Sequence, residues 1–307
     1  MKEIAKKIIK KEFSYKPEKN SLIPKNIRSK KILAVFDGFN FSESTVNYAI
    51  QLTKETDAFL VGVFLDESIY RSYNADKIVR SYKNAEQILI KMKAKDDAKR
   101  DEAVKQFQKA CSLADIHYTF HRNNNIAVED LKQESIFADL IVINVNETFQ
   151  RIPEKTPTSF IKELLSDVQC PVLIVPDTFK PINKIILLYD GGPSSVFAIK
   201  MFSYLFNNLA SLPVEVFTVK DKTAGSHLPN NKLIREFIKR HFPKAEYILE
   251  KGNAEEQIAA HLRNHKGNEL VVLGAYRRGE ISRWFKTSMA DILMKELDTA
   301  LFIAHNK

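Results

Sequence analysis

Cysteine is scarce in this sequence: 307 residues contain two, Cys111 and Cys170. Neither sits in a metal or redox spacing, which excludes a disulfide scaffold and a zinc module and predicts buried thiols in a reducing, cytoplasmic setting. No stretch approaches the roughly 18 uncharged apolar residues of a membrane-spanning helix, so stable membrane insertion is not expected. The opening Met-Lys-Glu-Ile-Ala-Lys-Lys-Ile-Ile-Lys has no unbroken apolar run and no small-residue cleavage site, which argues against a secretory signal. Gly-x-Gly-x-x-Gly and Walker loops are missing too. What is present is ordinary globular material: 44% hydrophobic residues over a length that supports one to three domains with a real core.

The net charge of +9 is unevenly placed. Residues 1–31 hold eleven Lys/Arg and three Glu, a balance of +8 that leaves +1 for everything after them. A nucleic-acid-binding domain carries its basic excess on the folded body, so nucleic acid is not the expected partner. Residues 1–30 read as a basic N-terminal extension in which Ile4, Ile8 and Ile9 could line one side of a short helix. Pro17 and Pro24 break any longer one.

Beyond the extension the chain repeats itself. Lys31-Ile-Leu-Ala-Val-Phe-Asp37-Gly38 returns as Lys184-Ile-Ile-Leu-Leu-Tyr-Asp190-Gly191, 153 residues later. Asp139-Leu-Ile-Val-Ile143 returns as Glu269-Leu-Val-Val-Leu273, and Pro171-Val-Leu-Ile-Val175 as Thr299-Ala-Leu-Phe-Ile303, at offsets of 130 and 128. The smaller offsets place an insertion of roughly 25 residues in the first copy, about 66–100, where Lys83 to Ala114 reads as one long charged helix with Ile88, Met92, Val104, Phe107 and Cys111 as its inner stripe. The Lys95–Glu102 segment reads as a solvated face.

Strands are predicted near 32–36, 58–65, 116–121, 139–143 and 171–175, then near 184–189, 213–219, 245–249, 269–273 and 299–304. Strands alternating with amphipathic helices predict two tandem open parallel five-stranded α/β sheets, Rossmann-like, covered on both faces. The first domain spans 31–176 and the second 182–307, with Pro176–Pro181 as linker. Cys170–Pro176 and Ala300–Ala304 are apolar edge strands that need covering, and pairing them would make a pseudo-dimer within one chain.

Ligands of such sheets bind at the carboxyl ends of the strands. Asp37 and Asp190 follow the first strand of each copy, where a carboxylate either accepts from a ligand or caps the next helix. After the third strand of the second copy, Gly252 permits close backbone approach and Asn253 with Glu256 opens a helix. The first copy has Asn123-Asn124-Asn125 there. After the fourth strand, Gly274 to Ser288 gathers Arg277, Arg278, Gly279, Arg283, Lys286, Thr287 and Ser288, a set able to supply N–H groups, hydroxyls and cations to phosphate. The corresponding Asn144–Thr158 has no glycine and carries acids instead, which predicts one competent site at most.

This tandem pattern resembles the two-domain universal stress proteins over about residues 31–305. The family's first strand ends in Val-Asp-Gly-Ser-like sequence, as at Asp37-Gly38 and Asp190-Gly191. Its nucleotide-binding members carry Gly, two residues, Gly, nine residues and Gly-Ser or Gly-Thr. Against Gly274 to Ser288 the first Gly and the last Ser match, while Arg277 and Thr287 replace the other two glycines. The resemblance implies an adenine-nucleotide site (ATP or AMP) in the second domain: adenine at Asp190, backbone at Val219, phosphates at Gly274, Gly279 and Ser288. It implies a non-catalytic stress-response protein with a degenerate first domain and a protein partner of unknown identity. A ligand-free scaffold is the alternative, followed by a slow ATP hydrolase or an adenylating enzyme. The last is the weaker because Asp190-Gly-Gly-Pro-Ser-Ser195 matches only part of an ATP-pyrophosphatase loop. His261 and His265, four apart, lack the Glu and third ligand of a zinc site and read as structural, as do His117 and His121. Trp284 reads as core packing of the last helix.

Overall fold

The computed structural model describes residues 30–37, 41–65, 85–123, 127–149, 154–223, 225–264, 268–274, 289–296 and 298–304. The basic extension, residues 66–84 of the insertion, and Arg277, Gly279, Thr287, Ser288, His265 and Trp284 lie outside them. The first half runs β1 (Lys31–Phe36), α1 (Glu43–Thr56), β2 (Phe59–Leu65), α2 (Ala85–Leu113), β3 (Tyr118–Asn123), α3 (Ala127–Ser135), β4 (Leu140–Asn144), α4 (Ser159–Asp167) and β5 (Val172–Val175). The second runs β6 (Lys184–Leu188), α5 (Pro193–Leu205), a 3₁₀ turn (Asn207–Ser211), β7 (Val214–Lys220), α6 (Asn231–His241), β8 (Glu246–Lys251), α7 (Ala254–Arg263), β9 (Glu269–Gly274), α8 (Met289–Glu296) and β10 (Ala300–Ala304).

The two predicted sheets are joined into one of ten strands, ordered β3-β2-β1-β4-β5-β10-β9-β6-β7-β8. Every pairing is parallel except β5 with β10, where Leu173 faces Phe302 and Ile174 faces Leu301. The two apolar edge strands thus cover each other. Alternation of side chains along these strands divides the apolar residues between two cores, one on each face. Leu173, Phe302, Ile32, Leu187 and Phe202 belong to one core, and Ile174, Leu301, Leu33, Leu188 and Leu262 to the other. Both cores run through both halves.

Local signals explain the helix starts. Ser42 accepts from the Thr45 amide at 3.1 Å and Thr158 from Ile161 at 3.2 Å, each satisfying an orphan N–H. Pro193 occupies the first turn of α5, where a missing N–H costs nothing. β3 and β8 begin one to two residues later than predicted; before β3, Asp115 takes a left-handed conformation (φ 53°) that holds the chain in a turn. Along α2, Val104, Phe107 and Cys111 are buried, as the stripe required. The same stripe continues through Asp96 and Arg100, also buried, which corrects the reading of Lys95–Glu102 as wholly solvated. Lys95, Lys99, Asp101 and Glu102 do face solvent.

Candidate functional site

In the second half β6 lies between β9 and β7, so the chain leaving β6 emerges where the strand order reverses. Three strand ends meet there: Asp190 after β6, Val219 near the end of β7 and Gly274 closing β9. The Val219 side chain belongs to the core, so only its backbone is offered to the rim. At the end of β8, the Gly252 amide donates to the Lys220 carbonyl at 2.9 Å and draws that strand end toward the others. Gly252 has φ +138°, a conformation side chains disfavour, and Asn253 accepts from the Glu256 amide at 3.1 Å to open α7.

Asp190 is buried, and its Oδ1 accepts from the Gly192 amide at 2.8 Å and from Ser195 Oγ at 2.6 Å. The carboxylate therefore organises the turn into α5, the capping role. The turn itself is pinned from the side. Thr218 Oγ1 donates to the Tyr189 carbonyl, and Tyr189 Oη to the Pro229 carbonyl, both at 2.9 Å. Gly191 has φ +83°, and a Cβ there would fall 3.2 Å from Pro229 Cγ and closer still to Pro229 Cβ. Lys220 Nζ donates to the His227 carbonyl at 3.0 Å. Residues 225–230 consequently wall the rim beside Gly191. Sequence reasoning missed this wall; the signal available was Pro229-Asn230, a turn pair in which Asn230 adopts φ 45°.

Gly274 has a packing role. A Cβ on it would lie 2.8 Å from the Ser195 nitrogen and nearer to the Ser194 carbonyl, so the end of β9 rests directly on the first turn of α5. Asp190, Gly191, Gly252 and Gly274 are thus brought to one rim, with backbone N–H groups of α5 and α7 facing it. Arg277, Gly279, Thr287 and Ser288 belong to the loop outside the described residues.

The first half builds the equivalent rim from different chemistry. Asp37 is buried after β1, and the chain leaving β4 folds back on itself. Asn144 and Asn146 donate to Asp177 at 3.0 and 2.9 Å, and Thr158 Oγ1 donates to the Glu147 carbonyl at 2.6 Å. Phe149, at φ 53°, packs on Phe160 with ring centroids 4.2 Å apart. The Glu147 carboxyl is 5% exposed; burial, with Asp37 and Asp177 nearby, pushes it well above the usual carboxylate range. The acids anticipated here from sequence occupy the rim, and Phe149 seals it.

At the other end of the strands each half holds one carboxylate between a lysine and a histidine. Glu215 of β7 contacts His261 Nε2 and lies 2.6 Å from Lys184 Nζ. Burial works against ionisation of Glu215, yet these two partners outweigh it and hold the carboxyl down at about 2. His261 also stacks on Phe217 at 4.2 Å. In the first half Glu134 of α3 meets His121 Nδ1 at 2.6 Å and Lys31 Nζ at 3.3 Å. The histidines considered as ligands are engaged in holding helices to the sheet.

No family model and no curated protein matches the sequence. Solved structures do. A universal stress protein from Archaeoglobus fulgidus DSM 4304 superposes with a TM-score of 0.65 at 14% identity, over 92% of this chain and 100% of that one. A functionally unknown protein from Pseudomonas aeruginosa PAO1 gives 0.57 at 11% identity, over 91% and 93%. Both alignments run through both halves, so the chain has the fold of the universal stress proteins in its tandem form.

Proposed function

We infer that this chain is a two-domain universal stress protein that acts by binding, with an adenine-nucleotide or similar small-ligand site in the second domain and a first domain kept as structural partner. The observation that carries the reading is the contrast between the two rims. In the second domain, glycines at 191, 252 and 274 let backbone approach the switch point closely, and two helix starts direct N–H groups there. In the first, Glu147 and Phe149 occupy the matching space, and a buried carboxyl repels phosphate.

Asp190 defines the turn from which adenine would be read, and Val219 contributes backbone. Phosphates fall to Gly274 and to Arg277, Gly279, Thr287 and Ser288 on the following loop. A long cation at Arg277 in place of glycine suits a charged ligand end. Binding without chemistry is favoured because no residue at the second rim pairs a base with a nucleophile. A second reading, a ligand-free scaffold, draws on one observation: both hydrogen bonds to Asp190 Oδ1 come from its own turn, so the site is already internally satisfied.

Calorimetric titration with ATP, ADP and AMP, with and without Mg²⁺, tests the reading beside Asp190→Asn, which keeps the acceptor to Gly192 and Ser195 but loses the charge. Micromolar binding weakened at least tenfold in the variant supports the site. Absence of heat up to millimolar nucleotide favours the scaffold, and phosphate release during titration would replace both with a hydrolase.

A further inference from the structure

Away from either rim, the outer side of the second half presents an unusual combination of cations and apolar tips. Helix α6 carries Lys232, Arg235, Lys239 and Arg240, all exposed, against the single acid Glu236, and Lys244 follows. Ile234 and Ile238 bury the inner side, so the helix is fixed and its cations point outward. Leu233 is 67% exposed on the same helix, and Tyr204 of the neighbouring α5 is 51% exposed. The two helices are tied by rings: Phe237 to His241 at 4.8 Å and His241 to Tyr204 at 5.7 Å. The matching helix of the first half, α2, mixes acids and bases along its length and has no such excess.

The chemistry of this face selects its partner. Protein interfaces are depleted of lysine at their centres and need a continuous apolar core, which two protruding side chains do not make. Single-stranded nucleic acid needs free aromatic faces for bases to stack on. Here Lys200 Nζ sits 5.8 Å from the Tyr204 centroid, and the Arg235 guanidinium 4.2 Å from that of Tyr247, so both rings are already engaged by cations. An anionic lipid surface needs what is present: a rigid helix, cations spread along it, and a few apolar tips to enter the headgroup region.

We propose that the outer face of α5 and α6, centred on Arg240, Leu233 and Tyr204, docks reversibly on anionic phospholipid membranes. The attachment is peripheral, since among the described residues no helix is long and apolar enough to cross a bilayer. Attachment by one weak surface is marginal, and the +8 balance of residues 1–31 supplies a second electrostatic contribution of the same sign.

The test is cosedimentation of the full chain with vesicles of phosphatidylglycerol in phosphatidylcholine, against pure phosphatidylcholine vesicles and a single-stranded oligonucleotide. Each cation near the surface is worth about fivefold in partitioning, so Lys239→Gln with Arg240→Gln is expected to lose about 25-fold, and raised salt to weaken what remains. Leu233→Ser is expected to weaken binding with an unchanged salt slope. All three positions are exposed, so unchanged melting curves will show that the fold is intact. Wild-type partitioning by the double variant, equal binding to neutral vesicles, or binding to the oligonucleotide but not to vesicles would each overturn the proposal.

Discussion

The geometry at Gly274 makes a sharp prediction. Adding one methyl group there places a Cβ 2.8 Å from the Ser195 nitrogen and closer to the carbonyl of Ser194. These are backbone atoms in the first turn of α5, not the movable end of a side chain. Relief therefore requires β9 and α5 to separate by about an ångström, at the junction where β9 lies beside β6 and the rim forms. Overpacking of this kind costs typically 1–3 kcal/mol, and the backbone nature of the contact puts Gly274→Ala near the top, at about 3 kcal/mol. For a chain of this size that lowers the melting midpoint by about 6 °C or more. Gly225→Ala is the internal control: nothing lies within 4 Å of a Cβ there, so the change is expected to be neutral or slightly stabilising. Differential scanning calorimetry of the two variants checks the difference directly. Equal melting midpoints would refute the contact between β9 and α5, and with it the account of why this strand ends in glycine.

Three further predictions concern titratable groups. Glu147, buried among Asp37 and Asp177 with its carboxyl held above the usual range, stays protonated in the fold at pH values where the unfolded chain has ionised it, so it costs stability above pH 4.5 or so. Glu147→Gln is expected to raise the melting temperature at pH 7, with the gain vanishing toward pH 4; a destabilised variant at pH 7 would contradict this. Glu215 behaves oppositely. Its carboxyl is held at about 2, against an ordinary 4.5, so its stabilisation is present above pH 4.5 and is lost as pH falls toward 2. Glu215→Gln is expected to cost about 2 kcal/mol at pH 7 by denaturant titration and nearly nothing near pH 2. Burial pushes both Cys111 and Cys170 up to about 12, so a thiol reagent at pH 8 is expected to label neither until the protein unfolds, as mass spectrometry would show.

Much of the architecture was legible in the sequence because the repeated apolar runs end in the same punctuation. Lys31–Phe36 and Lys184–Leu188 are continuous apolar strands that stop at Asp-Gly, a pattern that buried parallel strands and their turns impose. The pairing of β5 with β10 was also readable, since two apolar edge strands in one chain have each other as the available cover. The rim was harder. Asp190 could be marked from sequence, yet its hydrogen bonds to Gly192 and Ser195 depend on the φ of Gly191 and on Pro229 across the turn, a contact between residues 38 positions apart that no periodicity encodes. Buried charge was hardest to read. Asp96, Arg100 and Glu215 look like solvated residues in any local window, and only the placement of α2 and of Lys184 and His261 shows that they are enclosed. In the first half, the absence of glycine after β4 did point to a closed rim, and Glu147 with Phe149 supplies the physical form of that closure.

The most direct measurement is hydrogen–deuterium exchange of the whole chain with and without saturating ATP. The account predicts slowed exchange confined to the second half, at the ends of β6, β7 and β9 and the starts of α5 and α7, with the ends of β1 and β4 unchanged. Slowed exchange around Asp37, Asn144 and Glu147, or in both halves alike, would contradict the assignment of a single competent rim.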